Sequence, residues 1–224
     1  MSTILKHFSN TLKRLTFVLI IIIFKSIMKL SNTFTFIRIL YAPIFLILYF
    51  LPIWTGIPSA ISLIISIPLL IFAEFTDYLD GHYARKRNEV SDFGKMFDPF
   101  ADVFLHLSTF VCYMFSAGTM GGYVNPVIFI LLMWREISQN FLRMVAAKQG
   151  TAIAARKGGK YKTVLYIFSG FYALFLELLV RLNAVPDCFG ALKLASSILF
   201  ILCVVLSYAS FIDYLRHFGK VLKQ

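Results

Sequence analysis

Residues 77–102 read DYLDGHYARKRNEVSDFGKMFDPFAD and join two apolar runs, at about 59–80 and 98–117. Four aspartates, Asp77, Asp80, Asp98 and Asp102, stand where those runs meet the polar connection. An ionised carboxylate at the edge of an apolar span is costly unless it is paired or bound to a cation. At a helical advance of roughly 100° per residue, Asp77, Asp80, Gly81, Ala84 and Arg85 share an arc of roughly 140° on one helix. Gly94, Asp98 and Asp102 recur at four-residue steps on the next. The short basic connection makes the two helices antiparallel neighbours, so four carboxylates converge and would repel one another without cations. Hard divalent cations take oxygen ligands, and Mg²⁺ (or Mn²⁺) commonly bridges carboxylates and substrate phosphates. Two such ions about 3.5–4 Å apart form the usual clamp for phosphoryl displacement. Gly81 and Ala84 leave room for a ligand to approach the backbone, and Arg85 offers a fixed fork to a phosphate.

The rest of the chain makes this a membrane-surface constellation. Of 224 residues 59% are hydrophobic and 15% charged, with mean hydropathy +0.78; a soluble domain sits nearer half apolar and a quarter charged. Apolar runs near 36–54, 59–80, 98–117, 123–146, 163–182 and 190–213 are each long enough to cross a bilayer. The expected fold is an all-α integral membrane protein with six transmembrane helices. Gly118, Gly121 and Gly122 mark one turn, and Pro186, Asp187 and Gly190 another. Residues 1–30 read as an extension. Leu15–Phe24 is a ten-residue apolar run flanked by Lys13, Arg14, Lys25 and Lys29, which suits a basic helix lying in the interface.

Charge sets the orientation. The net charge is +11, and Lys and Arg concentrate in the N-terminal segment, the 81–97 and 147–162 connections and the C-terminal tail. The positive-inside rule puts these parts, both termini included, in the cytoplasm of a multi-pass protein of the cell membrane. The basic residues lie between spans, which argues against a nucleic-acid partner and suits anionic lipids and acidic substrates. Cys112, Cys188 and Cys203 are too scattered for a disulfide framework or a metal site.

The string Asp77-x₂-Asp80-Gly81-x₂-Ala84-Arg85-x₈-Gly94-x₃-Asp98-x₃-Asp102 resembles the CDP-alcohol phosphatidyltransferase signature at every defined position. The resemblance covers about residues 31–218, leaving 219–224 as a tail. It implies a six-helix membrane fold, usually homodimeric, with two metal ions held by Asp77, Asp80 and Asp98 and with Asp102 both ligand and catalytic base. It further implies that Asp80, Gly81, Ala84 and Arg85 bind the cytidine diphosphate of CDP-diacylglycerol. The segment Ser31–Thr35 before Arg38 and Pro43 resembles the family's entry helix, which adds Asn32 and Thr35 to those contacts.

The signature leaves the acceptor alcohol open. Arg135, Gln139 and Arg143 share a helical face at four-residue steps, with Glu136 beside them, and Lys160 and Lys162 open the next span. Ionisable residues inside a span are functional by default. Arg143, Lys160, Lys162 and Arg135 form a candidate cationic pocket for an acceptor that itself bears a phosphate. Arg135-Glu136, Leu142-Arg143 and Gly159-Lys160-Tyr161-Lys162-Thr163 resemble the phosphatidylglycerophosphate synthase branch of the family, which implies sn-glycerol 3-phosphate as acceptor. Trp134 and Gln139-Asn140 depart from that branch. Rival readings keep the chemistry and change the acceptor to phosphatidylglycerol, inositol phosphate, serine or choline, or make the aspartates the site of a divalent-cation carrier. A carrier site belongs near the midplane, whereas these carboxylates lie at helix ends. His82 and His106 read as supporting or interfacial residues, since an oxygen-rich site suits Mg²⁺ better than imidazole does. Glu74 and Glu177 are buried carboxylates of open role.

Overall fold

The computed structural model describes residues 30–56, 60–87, 92–118, 121–149 and 157–218, with side chains described throughout these except at 30–34, 76–96 and 157. Among the described residues the chain is entirely helical, in six helices: α1 (Leu30–Thr55), α2 (Ile61–Arg87), α3 (Asp92–Cys112), α4 (Pro126–Lys148), α5 (Lys157–Arg181) and α6 (Phe189–Phe218). Each coincides with one of the apolar runs. Three stretches, Thr35–Thr55, Gly158–Arg181 and Phe189–Phe218, are long and apolar enough to cross a membrane. The other three helices carry ionisable residues within the apolar stretch, such as Glu74, Asp102 and Arg135. The expected interfacial helix belongs to residues 1–30, which lie outside the described residues except for Leu30, the first residue of α1.

The exposed and buried faces reverse the soluble pattern. Leu40, Ile44, Ile47, Leu51 and Trp54 on α1, and Ile61, Ile64, Ile65, Phe72 and Phe75 on α2, are all exposed. Arg38, Arg135, Glu136, Glu177 and Arg181 are buried. Water tolerates no apolar belt of that extent on a monomer, whereas lipid does. The protein is a membrane protein.

Long-range hydrogen bonds fix the register. Thr35 on α1 meets Asp98 on α3, Arg38 meets Asp102, and Tyr49 donates to the Phe115 carbonyl (2.7 Å), so α1 and α3 run parallel. Tyr208 donates to the Leu131 carbonyl (3.1 Å) and Arg135 to that of Ser207 (2.9 Å), joining α4 to α6. Tyr41 reaches the Ser66 carbonyl on α2 at 2.7 Å. One end of the bundle therefore gathers the starts of α1, α3 and α5 with the ends of α2, α4 and α6. This is the aspartate end. The opposite end carries the 113–125 and 182–188 turns.

The helices run past the apolar runs at the aspartate end: α1 starts at Leu30, α2 continues to Arg87 and α3 starts at Asp92. A helix need not stop where lipid does, and these extra turns present the charged residues. At the other end α3 stops at Cys112, short of the expected 117. The Tyr113 carbonyl instead accepts from Tyr123 N (2.7 Å) and Val124 N (3.1 Å), folding the chain back. Gly122 permits this, because a Cβ there would lie 2.0 Å from the Met114 carbonyl oxygen. Asn125 then caps α4 by accepting from Val127 N at 2.9 Å, with Pro126 as the first helical residue.

Candidate active site

Two of the four aspartates have described side chains. Asp98 and Asp102 stand one turn apart on α3, and both turn toward α1. Thr35 donates to Asp98 at 2.5 Å, and the Arg38 guanidinium pairs with Asp102. Arg38 is 1% exposed and Asp102 33%. The arginine is thus sealed in the bundle while its carboxylate partner remains open to the outside. One turn further along α3, His106 pairs with Glu74 of α2 at 3.3 Å. Glu74 lies three residues before Asp77 and His106 four after Asp102, so this contact holds the two aspartate-bearing helices together within about a turn of their carboxylates. The backbone of Asp77, Asp80, Gly81, Ala84 and Arg85 belongs to α2; their side chains, and those of His82 and Asn32, lie outside the described residues. Among the described residues no metal-binding cluster is complete.

Arg38 and Glu74 had no assigned role in the sequence reading. A signal for Arg38 was present: a charge inside an apolar run must find a partner, and its spacing of three from Thr35 matches the four-residue step from Asp98 to Asp102.

The four cations expected to grip an acceptor phosphate differ in how they are engaged. Glu136 takes two of them. Its Oε1 accepts from Arg135 (2.8 Å), Lys162 (2.9 Å) and Tyr166 (2.9 Å), and its Oε2 from Lys162 at 3.0 Å. Arg135 spends its Nε on the Ser207 carbonyl, and Lys162 also lies 4.7 Å from the Tyr166 ring centroid. Glu136 is 2% exposed, so this network ties α4, α5 and α6 together in the interior. Burying such a carboxylate is tolerable only with its partners present. Arg143 sits two turns beyond Arg135 on the same face of α4, half-buried, and Lys160 is exposed at the start of α5. That start packs on α6, where a Cβ added at Gly158 would make an ordinary contact with Ser210 Oγ at 3.4 Å.

A further ion pair, at the opposite end, had not been foreseen. Glu177 and Arg181, one turn apart on α5, are both fully buried and 2.7 Å apart. Glu177 also accepts from Ser116 (2.6 Å), Tyr123 (2.8 Å) and the Ala117 amide (3.1 Å). Arg181 donates to Ser62 (2.9 Å) and the Tyr49 carbonyl (2.8 Å). Arg181 stands beside the 182–188 turn, yet its partners keep it inside. The exposed His217 pairs with Asp213 at 3.4 Å, away from these groups.

Residues 28–212 match the family described as CDP-alcohol phosphatidyltransferase. A Treponema pallidum protein named CDP-diacylglycerol–glycerol-3-phosphate 3-phosphatidyltransferase is 33% identical over 204 residues, covering 88% of this chain and 92% of its own length. A like-named Aquifex aeolicus protein is 28% identical over 200 residues, 88% of this chain and 100% of that protein. One from Bacillus subtilis is 34% identical over 144 residues, 60% of this chain and 70% of its own.

Proposed function

The chain belongs to the CDP-alcohol phosphatidyltransferase family, and we propose that it transfers the phosphatidyl group of CDP-diacylglycerol to sn-glycerol 3-phosphate, forming phosphatidylglycerophosphate and CMP. The observation that carries this reading is the likeness to the Treponema pallidum enzyme along nearly the whole of both chains. The unbroken string from Asp77 to Asp102 supports the chemistry.

The donor set suits a hard divalent cation: the described carboxylates are oxygen ligands, and Asp102 keeps a third of its surface open beside its arginine. Asp77, Asp80, Asp98 and Asp102 would hold two Mg²⁺ ions, whose chemistry is to neutralise charge on the diphosphate and on the departing CMP. Asp102 takes the proton of the acceptor hydroxyl. Arg38, donating to Asp102 from the bundle interior, acts as a positioning residue that fixes the direction of that carboxylate. Asp80, Gly81, Ala84, Arg85, Asn32 and Thr35 receive the cytidine diphosphate. Arg143 and Lys160 supply the direct cationic contacts for the acceptor phosphate, and Arg135 and Lys162 act through Glu136, leaving that trio one positive charge in excess. All six helices cross the bilayer, with both termini and the aspartate end in the cytoplasm, on the ground of the Lys/Arg distribution. The family resemblance is the ground for a homodimer.

The test is CMP release by the purified full chain from CDP-diacylglycerol and Mg²⁺ with each acceptor in turn. Glycerol 3-phosphate should support the fastest release, and EDTA should stop it reversibly. Full activity in EDTA, or faster release with phosphatidylglycerol, inositol phosphate, serine or choline, would overturn the corresponding part. For orientation, cysteine labelling in intact cells should leave Glu89→Cys and Ala155→Cys protected and Met120→Cys reactive; the opposite pattern inverts the topology.

A further inference from the structure

Three polar side chains at the aspartate end lack the saturation of the Glu136 network. Gln139 is 5% exposed, and neither its Nε2 nor its Oε1 makes a hydrogen bond among the described residues. The buried Nε of Arg143 and the hydroxyl of Tyr214, itself 5% exposed, are likewise without one. Gln139 and Arg143 stand one turn apart on α4, and the Tyr214 hydroxyl of α6 lies beside both, near enough to interact with each yet outside the distance and angle of a formed hydrogen bond. Buried polar atoms are nearly always paired, so several unmet ones around one small volume point to an occupant.

The unmet atoms describe that occupant. The Arg143 Nε only donates, and the Tyr214 hydroxyl can donate beside it, which suits anionic oxygen. The Gln139 amide presents a donor and an acceptor together. A hydroxyl, being both, satisfies the pair, whereas a phosphate would leave Oε1 unmet. Neighbouring groups are engaged elsewhere: both Glu136 oxygens are taken, and Arg135 and Lys162 are held by them. That set of donors and acceptors fits a phosphomonoester with a hydroxyl close to its phosphate.

We propose that Gln139 and Tyr214 determine acceptor specificity, Gln139 by binding the acceptor's secondary hydroxyl and Tyr214, with Arg143, by binding its phosphate. This rests on the glycerol 3-phosphate reading above. It goes beyond it in naming two uncharged residues, one of them at the position where the sequence departs from the family branch it resembles.

The experiment compares sn-glycerol 3-phosphate with 3-hydroxypropyl phosphate, which lacks only the secondary hydroxyl, using the purified full chain. Wild type should lose about ten-fold in kcat/KM on the deoxy acceptor, the size of one neutral hydrogen bond. Gln139→Met should lose about as much on glycerol 3-phosphate and no longer distinguish the two acceptors. Tyr214→Phe should lose about five- to ten-fold on both. The KM for CDP-diacylglycerol and the unfolding midpoint should hold in each variant. A Gln139→Met enzyme that keeps the full wild-type preference overturns the proposal, as does a drop in unfolding midpoint with acceptor kinetics unchanged, which would make the trio a structural contact. Both outcomes leave the parent reading standing. Failure of the wild type to use glycerol 3-phosphate sinks both.

Discussion

Two of the carboxylate–guanidinium pairs among the described residues look alike on paper and differ in what surrounds them. Glu177 and Arg181 are both fully buried, and donors from the 113–125 turn complete the carboxylate while α1 and α2 complete the guanidinium. Asp102 and Arg38 share the same chemistry, yet the arginine is sealed and the carboxylate is one-third exposed. A closed pair has no capacity left for a substrate. It holds α1, α2 and α5 and the turn after α3 in one arrangement, and its removal is felt as stability. An open pair keeps a carboxylate aimed outward from a rigid base, and its removal is felt as activity.

The strongest way to break that comparison is to cross its two readouts. Asp98→Asn keeps the shape of the side chain and removes the charge that the cation site requires. CMP release should fall to background while the unfolding midpoint in detergent stays near wild type. Glu177→Leu should do the reverse, since an unpaired buried arginine costs about 3–5 kcal/mol. The midpoint should fall sharply, and CMP release per folded molecule should hold. The double variant Glu177→Leu/Arg181→Met should be less damaging than Glu177→Leu alone, because no charge is left stranded. Loss of activity in Glu177→Leu at an unchanged midpoint would erase the distinction between the two ends.

A smaller effect comes from the backbone. At Gly122 an added Cβ meets backbone atoms, Met114 O at 2.0 Å and Phe115 N at 2.7 Å, which no rotamer change relieves. Gly122→Ala must open the turn that carries Tyr123 to Glu177, at a cost of about 1–3 kcal/mol. At Gly159, on the aspartate end, an added Cβ meets nothing within 4 Å. Gly159→Ala should be neutral or stabilise α5 by up to about 1 kcal/mol. Paired thermal melts of the two variants would show whether the closed end is the rigid one.

What the sequence disclosed, and what it withheld, follows the same divide. Hydropathy located all six helices, because apolar length is a local property, and the aspartate string was legible because its spacing is local too. The Glu177–Arg181 pair was only half visible. Two charges four apart on one helix are readable, but their partners Ser62, Tyr49 and Tyr123 come from elements up to 132 residues away. The surroundings of the acceptor pocket were legible only in part, for a related reason. Arg135, Arg143, Lys160 and Lys162 were grouped by charge and face, and neither quantity says that Glu136, one residue along, draws in Lys162 from α5. The uncharged Gln139 was placed on the face of Arg135 and Arg143 and marked as a departure but given no role, because an amide without a partner is invisible until its surroundings are known.

The smallest expected effect separates the two cations still assigned to direct phosphate contact. Arg143 is half-buried on α4 and Lys160 exposed at the start of α5. An exposed ammonium acts on a bound anion through water and loses most of its influence to salt, contributing about 0.2–1 kcal/mol at low ionic strength. Lys160→Ala should therefore lower kcat/KM for glycerol 3-phosphate by no more than about five-fold in dilute buffer. The loss should shrink toward nothing as ionic strength rises to about 0.5 M, where the screening length falls to a few ångströms. Arg143→Ala removes a guanidinium whose Nε is already out of water. Its loss should be about ten- to hundred-fold, as for a charge-assisted contact, and should persist in high salt. Neither change should alter the KM for CDP-diacylglycerol. Equal losses with equal salt dependence would mean that the phosphate sits in solvent between the two helices and not against α4.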